Sequence, residues 1–198
     1  MAKRPFFQAM AQCFHISKVN THKTIPYSYA PLINSVSRMG EDTGLVIEAM
    51  QSIDTAEQLI SLFSEIHQRC KEETKNQLCL AKQLLKKTYS HPVIHPVIIV
   101  WSEEFSVALI DLIAGKLKEL YRRPVIVLAS PEDDDMLKGF GRSTGAFSLS
   151  DAFSNCSMSL SRWRGDHKSA ELSLPAEHLD SFAAEMMKLA HDAQYRQF

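Results

Sequence analysis

Val97-Ile98-Ile99-Val100-Trp101, a helical pattern over residues 105–121, then Pro124-Val125-Ile126-Val127-Leu128-Ala129: this succession decides the fold. Both apolar runs are short, dense in β-branched residues and bounded by turn or linker residues, so each predicts a buried strand. Between them Val107, Leu109, Ile110, Ile113, Leu117 and Leu120 recur at three- or four-residue spacing, which predicts one helix with these side chains inward. Strand, helix, strand implies a parallel pair joined by a right-handed crossover. The chain enters from a small tandem, His91-Pro92-Val93-Ile94 and His95-Pro96-Val97-Ile98, whose prolines favour an extended approach.

Downstream the same reading predicts an acidic surface turn at 132–135, a third strand over 136–143, a helix over 149–163 and a fourth strand over 170–174. A last helix over 177–195 turns Leu179, Phe182, Met186, Met187 and Leu189 inward. Residues 91–198 therefore form a small mixed α/β sheet with flanking helices. Upstream, Ala56, Leu59, Ile60, Phe63, Ile66, Cys70, Thr74, Leu78, Ala81 and Leu85 trace one long amphipathic helix. It is capped near Asp54 or Thr55, ends about Tyr89, and makes 55–90 a connecting element. Residues 1–54 are a helical and loop segment. Short helices are expected at 5–14, with Pro5 in the first turn, and at 44–50. Between them 16–40 reads as an ordered loop anchored by Tyr27 and Tyr29.

Composition sets the class. An apolar fraction of 45% and a charged fraction of 23% in 198 residues suit a globular protein with a sizeable core. The net charge of −1 divides unevenly: residues 1–40 carry Lys3, Arg4, Lys18, Lys23 and Arg38 without one Asp or Glu, leaving −6 on the rest. Such an entry segment suits an anionic partner, or simply a solvated face. Cys13, Cys70, Cys79 and Cys156 show no C-x-x-C spacing and read as reduced thiols, so a cytoplasmic location is expected. His67 and Cys70 lie one helical turn apart, but no second ligand pair accompanies them, and structural zinc needs four ligands. No cofactor is expected, and no apolar run is long enough to insert into a membrane.

Several motifs carry a more specific signal. Ala30-Pro31-Leu32-Ile33-Asn34-Ser35-Val36-Ser37-Arg38-Met39-Gly40 resembles the Ala-Pro-x-Ile-Asn-Ala-x-Gly-Arg-Met-Gly signature of RecJ-type single-strand exonucleases. Leu137-Lys138-Gly139-Phe140-Gly141-Arg142-Ser143 resembles that family's Lys-Gly-Ser-Gly-Arg-Ser strand, and Phe147-Ser148-Leu149-Ser150-Asp151-Ala152 follows it in order. Leu172-Ser173-Leu174-Pro175-Ala176-Glu177 resembles its last strand and helix start. The resemblance is collinear over nearly the whole chain and implies the family's accessory, DHHA1-like domain. In the family the two arginines help hold a strand's 5′ phosphate, so it implies phosphate contacts for Arg38, Gly141, Arg142, Ser143 and His167. Arginine supplies a planar fork of donors that matches phosphate oxygens.

The departures point elsewhere. Phe140 stands where the family has serine, Phe105-Ser106-Val107-Ala108 where it has Trp-His-x-Gly, Asp111 where it has a glycine, and Gly165-Asp166-His167 where it has Gly-Gly-His. Phe105, Phe140 and Asp166 thus become candidate protein-interface residues. RecJ-type hydrolysis uses two metals held by aspartates and an Asp-His-His motif, and no Asp-His-His run occurs in the 198 residues. The chain is therefore expected to be noncatalytic: an interaction or adaptor subunit of a larger assembly with a protein partner. Two alternatives stand beside it. One is a single-stranded nucleic-acid-binding module using the basic N-terminal segment, Arg38, Arg142, Arg162, Arg164 and Lys168, with weak hold on DNA. The other is the accessory half of a split exonuclease.

Overall fold

The computed structural model describes residues 5–13, 25, 29–89, 95–131, 135–145 and 147–195. Tyr27, the residues 91–94 of the proline tandem and most of the acidic turn fall outside them, as do Lys3, Arg4, Lys18 and Lys23. The chain divides into two compact units, Met1–Glu73 and Thr74–Phe198.

The first unit holds α1 (Pro5–Cys13), α2 (Ala30–Arg38), α3 (Gly44–Ala49) and the first half of α4 (Ile53–Thr88). Its core joins Phe6 and Met10 of α1, Tyr29, Leu32 and Val36 around α2, Ala49 of α3, and Ala56, Ile60, Phe63 and Ile66 of α4. Burial of each large side chain here contributes roughly 1.5–3 kcal/mol. Residues 30–38 are helical where the sequence predicts loop. Ser and Asn disfavour a helix only weakly, and burial of Leu32 and Val36 outweighs that, while the Ser35 hydroxyl donates back to the Pro31 carbonyl at 2.7 Å. Tyr29 is an anchor as expected, fully buried and stacked on Phe7 at 5.5 Å. The cap of α4 is Ser52, rather than Asp54 or Thr55: its hydroxyl oxygen accepts the Thr55 backbone N–H at 3.1 Å.

The second unit is a five-stranded sheet of order β1-β2-β3-β5-β4. Its elements are β1 (Ile98–Ser102), α5 (Ile110–Tyr121), β2 (Val125–Ala129), β3 (Met136–Arg142), α6 (Leu149–Asn155), β4 (Arg162–Gly165), β5 (Ser169–Pro175), a 3-10 turn (Ala176–His178) and α7 (Leu179–Tyr195). β1 and β2 are parallel across α5, as the opening run implied, and the other pairings are antiparallel. One sheet face carries Ile99, Ile126, Leu128, Leu137, Leu172 and Leu174 into a core with Leu149 and Phe153 of α6 and Phe182 and Met186 of α7. On the other face α5 packs against β2 and β3.

Three expectations for this unit need correction. The crossover helix begins at Ile110, not at 105: Phe105 N–H donates to the Ser102 carbonyl and Ser106 N–H to Gln77 Oε1, so 105–109 form turns. Val107 and Leu120, expected inward, are exposed. The helix begun at Leu149 stops at Asn155, where the Ser154 and Asn155 side chains donate to carbonyls four residues back. Arg162–Gly165 is then a strand the helical reading passed over, leaving Ser169–Pro175 as the fifth strand. Competition of Ser and Asn side chains for backbone partners explains the early end.

Candidate nucleic-acid interface

Strand β3 alternates strictly. Leu137, Gly139 and Gly141 turn to the buried core, and Lys138, Phe140 and Arg142 to the opposite face. Register extends that second face across the neighbouring strands, because directly paired residues point the same way. Lys138 stands beside Ser173 and Arg162, Phe140 beside Glu171 and Arg164, and Arg142 beside Ser169. Among the strand residues, Lys138, Arg142, Arg162 and Arg164 therefore share this face with Phe140 and Glu171, while α5 covers it at β2 and β3.

Within it, the Arg142 guanidinium carbon lies 4.9 Å from the centre of the Phe140 ring. Such cation–π contacts contribute about 0.5–1 kcal/mol when exposed and about 2 when desolvated. Arg142 Nε is buried without a hydrogen-bond partner, an expensive state for a charged donor group. Arg164 pairs with Glu171 at 3.1 Å, with both side chains more than half exposed. Exposed pairs contribute roughly 0–1 kcal/mol, so the pairing holds Arg164 only lightly. Arg162 is exposed.

The other expected site residues are placed as follows. Gly141 faces inward, where an added Cβ would stand 3.1 Å from Leu149 and 3.3 Å from Phe153. Its small size there serves packing against Leu149 and Phe153. Ser143 is buried, and its hydroxyl donates to the Phe147 carbonyl at 2.6 Å, which ties the loop after β3. His167 is exposed in the β4–β5 turn, and its carbonyl accepts the Leu149 N–H. Arg38 lies in the last turn of α2, in the first unit. Phe105 is a core residue at 3% exposure, which removes it from any surface a partner could touch. The reason is the turn at 105–109, which directs its ring inward.

Asp166 stabilises the turn that carries it. Its Oδ1 accepts the Lys168 N–H at 2.7 Å and the Ser169 N–H at 3.0 Å. Those two bonds, Lys168 first, hold its carboxyl below the usual carboxylate range. His67 Nδ1 meets the Ser35 hydroxyl at 2.7 Å, and Cys70 is buried. Among the described residues no group of three or more His, Cys, Asp or Glu side chains could hold a metal ion. No helix among them is long and apolar enough to cross a membrane.

The sequence reading missed the register that puts Lys138 in line with Arg162. The signal was present: Arg162-Trp163-Arg164 alternates with period two, a strand pattern, and half-buried Trp163 packs against the core between its two exposed neighbours.

No protein-family model matches the chain. It is 26% identical over 168 residues to the single-stranded-DNA-specific exonuclease RecJ of Bacillus subtilis, covering 85% of this chain and 21% of that protein. With RecJ of Dickeya dadantii it shares 28% identity over 165 residues, 79% of this chain and 28% of that protein. The chain is a relative of the RecJ exonucleases. It spans about a quarter of the length of these RecJ proteins. The fold agrees: RecJ from Thermus thermophilus in complex with Mg2+ superposes with a TM-score of 0.79 over 95% of this chain and 28% of its own, at 19% identity. The expected architecture, a mixed α/β sheet with flanking helices behind a long helix, is therefore the RecJ-like one.

Proposed function

We propose that this chain is a noncatalytic RecJ-like module that binds single-stranded nucleic acid on the face of β3, β5 and β4 that carries Phe140. One observation carries the reading: register lines up Lys138, Arg142, Arg162 and Arg164 on the face that carries that ring, with Glu171 paired to Arg164. A phosphodiester backbone fits a surface of that sign, and the curated relatives are named for single-stranded DNA. Affinity on such a face comes mainly from counterion release and is modest and steeply salt-dependent. The experiment is anisotropy of a labelled single-stranded oligonucleotide at low and moderate salt. Arg142→Ala, and Arg162→Ala with Arg164→Ala, should weaken binding and flatten the log–log salt slope by about 0.7 for each phosphate no longer neutralised. Binding that ignores salt, or survives all three substitutions, overturns the reading.

A second role, as an adaptor holding a protein partner in a larger cytoplasmic assembly, is favoured by a different observation. Trp101 on β1 is 43% exposed, on the opposite side of the sheet from the basic face.

A further inference from the structure

Beside Trp101 the second unit has a groove of about 510 Å³. Leu84, Thr88 and Tyr89 at the end of α4 form one wall, Ile99 and Trp101 of β1 the floor, and Leu179 and Ala183 of α7 the other wall. Its charged lining residues are Glu103, Glu104 and Asp180, all exposed and all acidic. Lys86 and Lys87 neighbour this wall in sequence but do not line it. An apolar floor, an accessible indole face and three carboxylates complement a ligand that is both cationic and apolar. Indole is the best aromatic partner for a Lys or Arg head group.

β1 is an edge strand, and an edge ordinarily invites a second strand. Tyr89 forecloses that here. Its hydroxyl donates to the Ile99 carbonyl at 3.1 Å and accepts the Ile99 N–H at 3.3 Å. At Ile99 a visitor must therefore dock through side chains and not by extending the sheet.

We infer that this groove binds a cationic, apolar peptide segment of a protein partner, seating an Arg or Lys on Trp101 among Glu103, Glu104 and Asp180. The inference rests on the adaptor reading and is independent of the nucleic-acid face. The test uses the 198-residue protein and a labelled short peptide alternating Arg and Leu, with a Glu-for-Arg counterpart as control. The Arg peptide should bind, the Glu peptide should not, and Trp101→Ala should weaken binding at least tenfold. Glu103→Lys with Glu104→Lys, both at an exposed turn clear of the core, should abolish it. Failure of the Arg peptide to bind, equal binding of the Glu peptide, or indifference to the charge reversal each overturns the inference. If cross-linking in the native host joins the wild-type and the charge-reversed protein to the same partner, the groove proposal falls while the adaptor reading stands.

Discussion

Among single residues, Ser35 and His67 form a pair that responds to pH. The Ser35 hydroxyl bridges the Pro31 carbonyl and His67 Nδ1, which links α2 to α4 inside the first unit. Burial first, then the Lys71 ammonium, holds the His67 imidazole below its ordinary range. The unfolded chain therefore takes up a proton at a pH where the folded one does not. Stability is fully present above the ordinary histidine value of about 6.5 and is lost as pH falls below it toward the folded value. The melting temperature should decline over that window, and His67→Gln should flatten the decline. An identical acid limb in both proteins would show that His67 is not the group responsible. Burial, then Glu185, pushes the Cys156 thiol up to about 12, which disfavours the reactive thiolate.

Among the elements, the β4–β5 hairpin positions two of the arginines, and its turn depends on one glycine. Gly165 sits at φ +148, and an added Cβ would fall 2.3 Å from the Ser169 carbonyl oxygen. That carbonyl also accepts the Asp166 N–H, so the backbone there has little room to shift. Gly139 is crowded differently, by the flexible ends of Leu128 and Leu172 at 2.6 and 2.8 Å. Gly139→Ala should cost about 1–3 kcal/mol of overpacking, whereas Gly165→Ala should cost more because backbone must move. Oligonucleotide binding should suffer in step with the hairpin. Urea melts of the two variants check the ranking, and the reverse order would contradict this account of the turn.

For the molecule as a whole, relationship to a nuclease does not by itself supply the metal ligands that hydrolysis needs. The RecJ-like fold extends over 95% of the chain, yet no Asp-His-His run occurs in its 198 residues. Two-metal hydrolysis needs such carboxylate and imidazole ligands to activate water and stabilise the leaving oxygen. With magnesium or manganese the 198-residue chain should leave a single-stranded oligonucleotide intact over hours on a denaturing gel. Degradation that persists through several purification steps and disappears in Arg142→Ala would contradict this.

Local pattern suffices for the long helix, the parallel β1–α5–β2 unit and the resemblance to RecJ, because each is written in near neighbours or in ordered motifs. Ile60, Phe63, Ile66 and Cys70 repeat at helical spacing whatever surrounds them, and the run at 97–100 is short, β-branched and preceded by prolines, which favours a strand. The site, by contrast, is made by long-range packing. Whether Phe105 is surface or core, whether Gly141 makes room for a ligand or for Leu149, and whether Arg162 ends a helix or lies on a strand all depend on partners distant in sequence. Local pattern misleads at 30–38 and 149–163 for the same reason. Propensities there are weak, a few tenths of a kcal/mol per residue, and the burial of Leu32, Val36 and Trp163 against other elements exceeds them. The row of Lys138, Arg162 and their neighbours exists only through cross-strand register, which one strand's sequence does not contain.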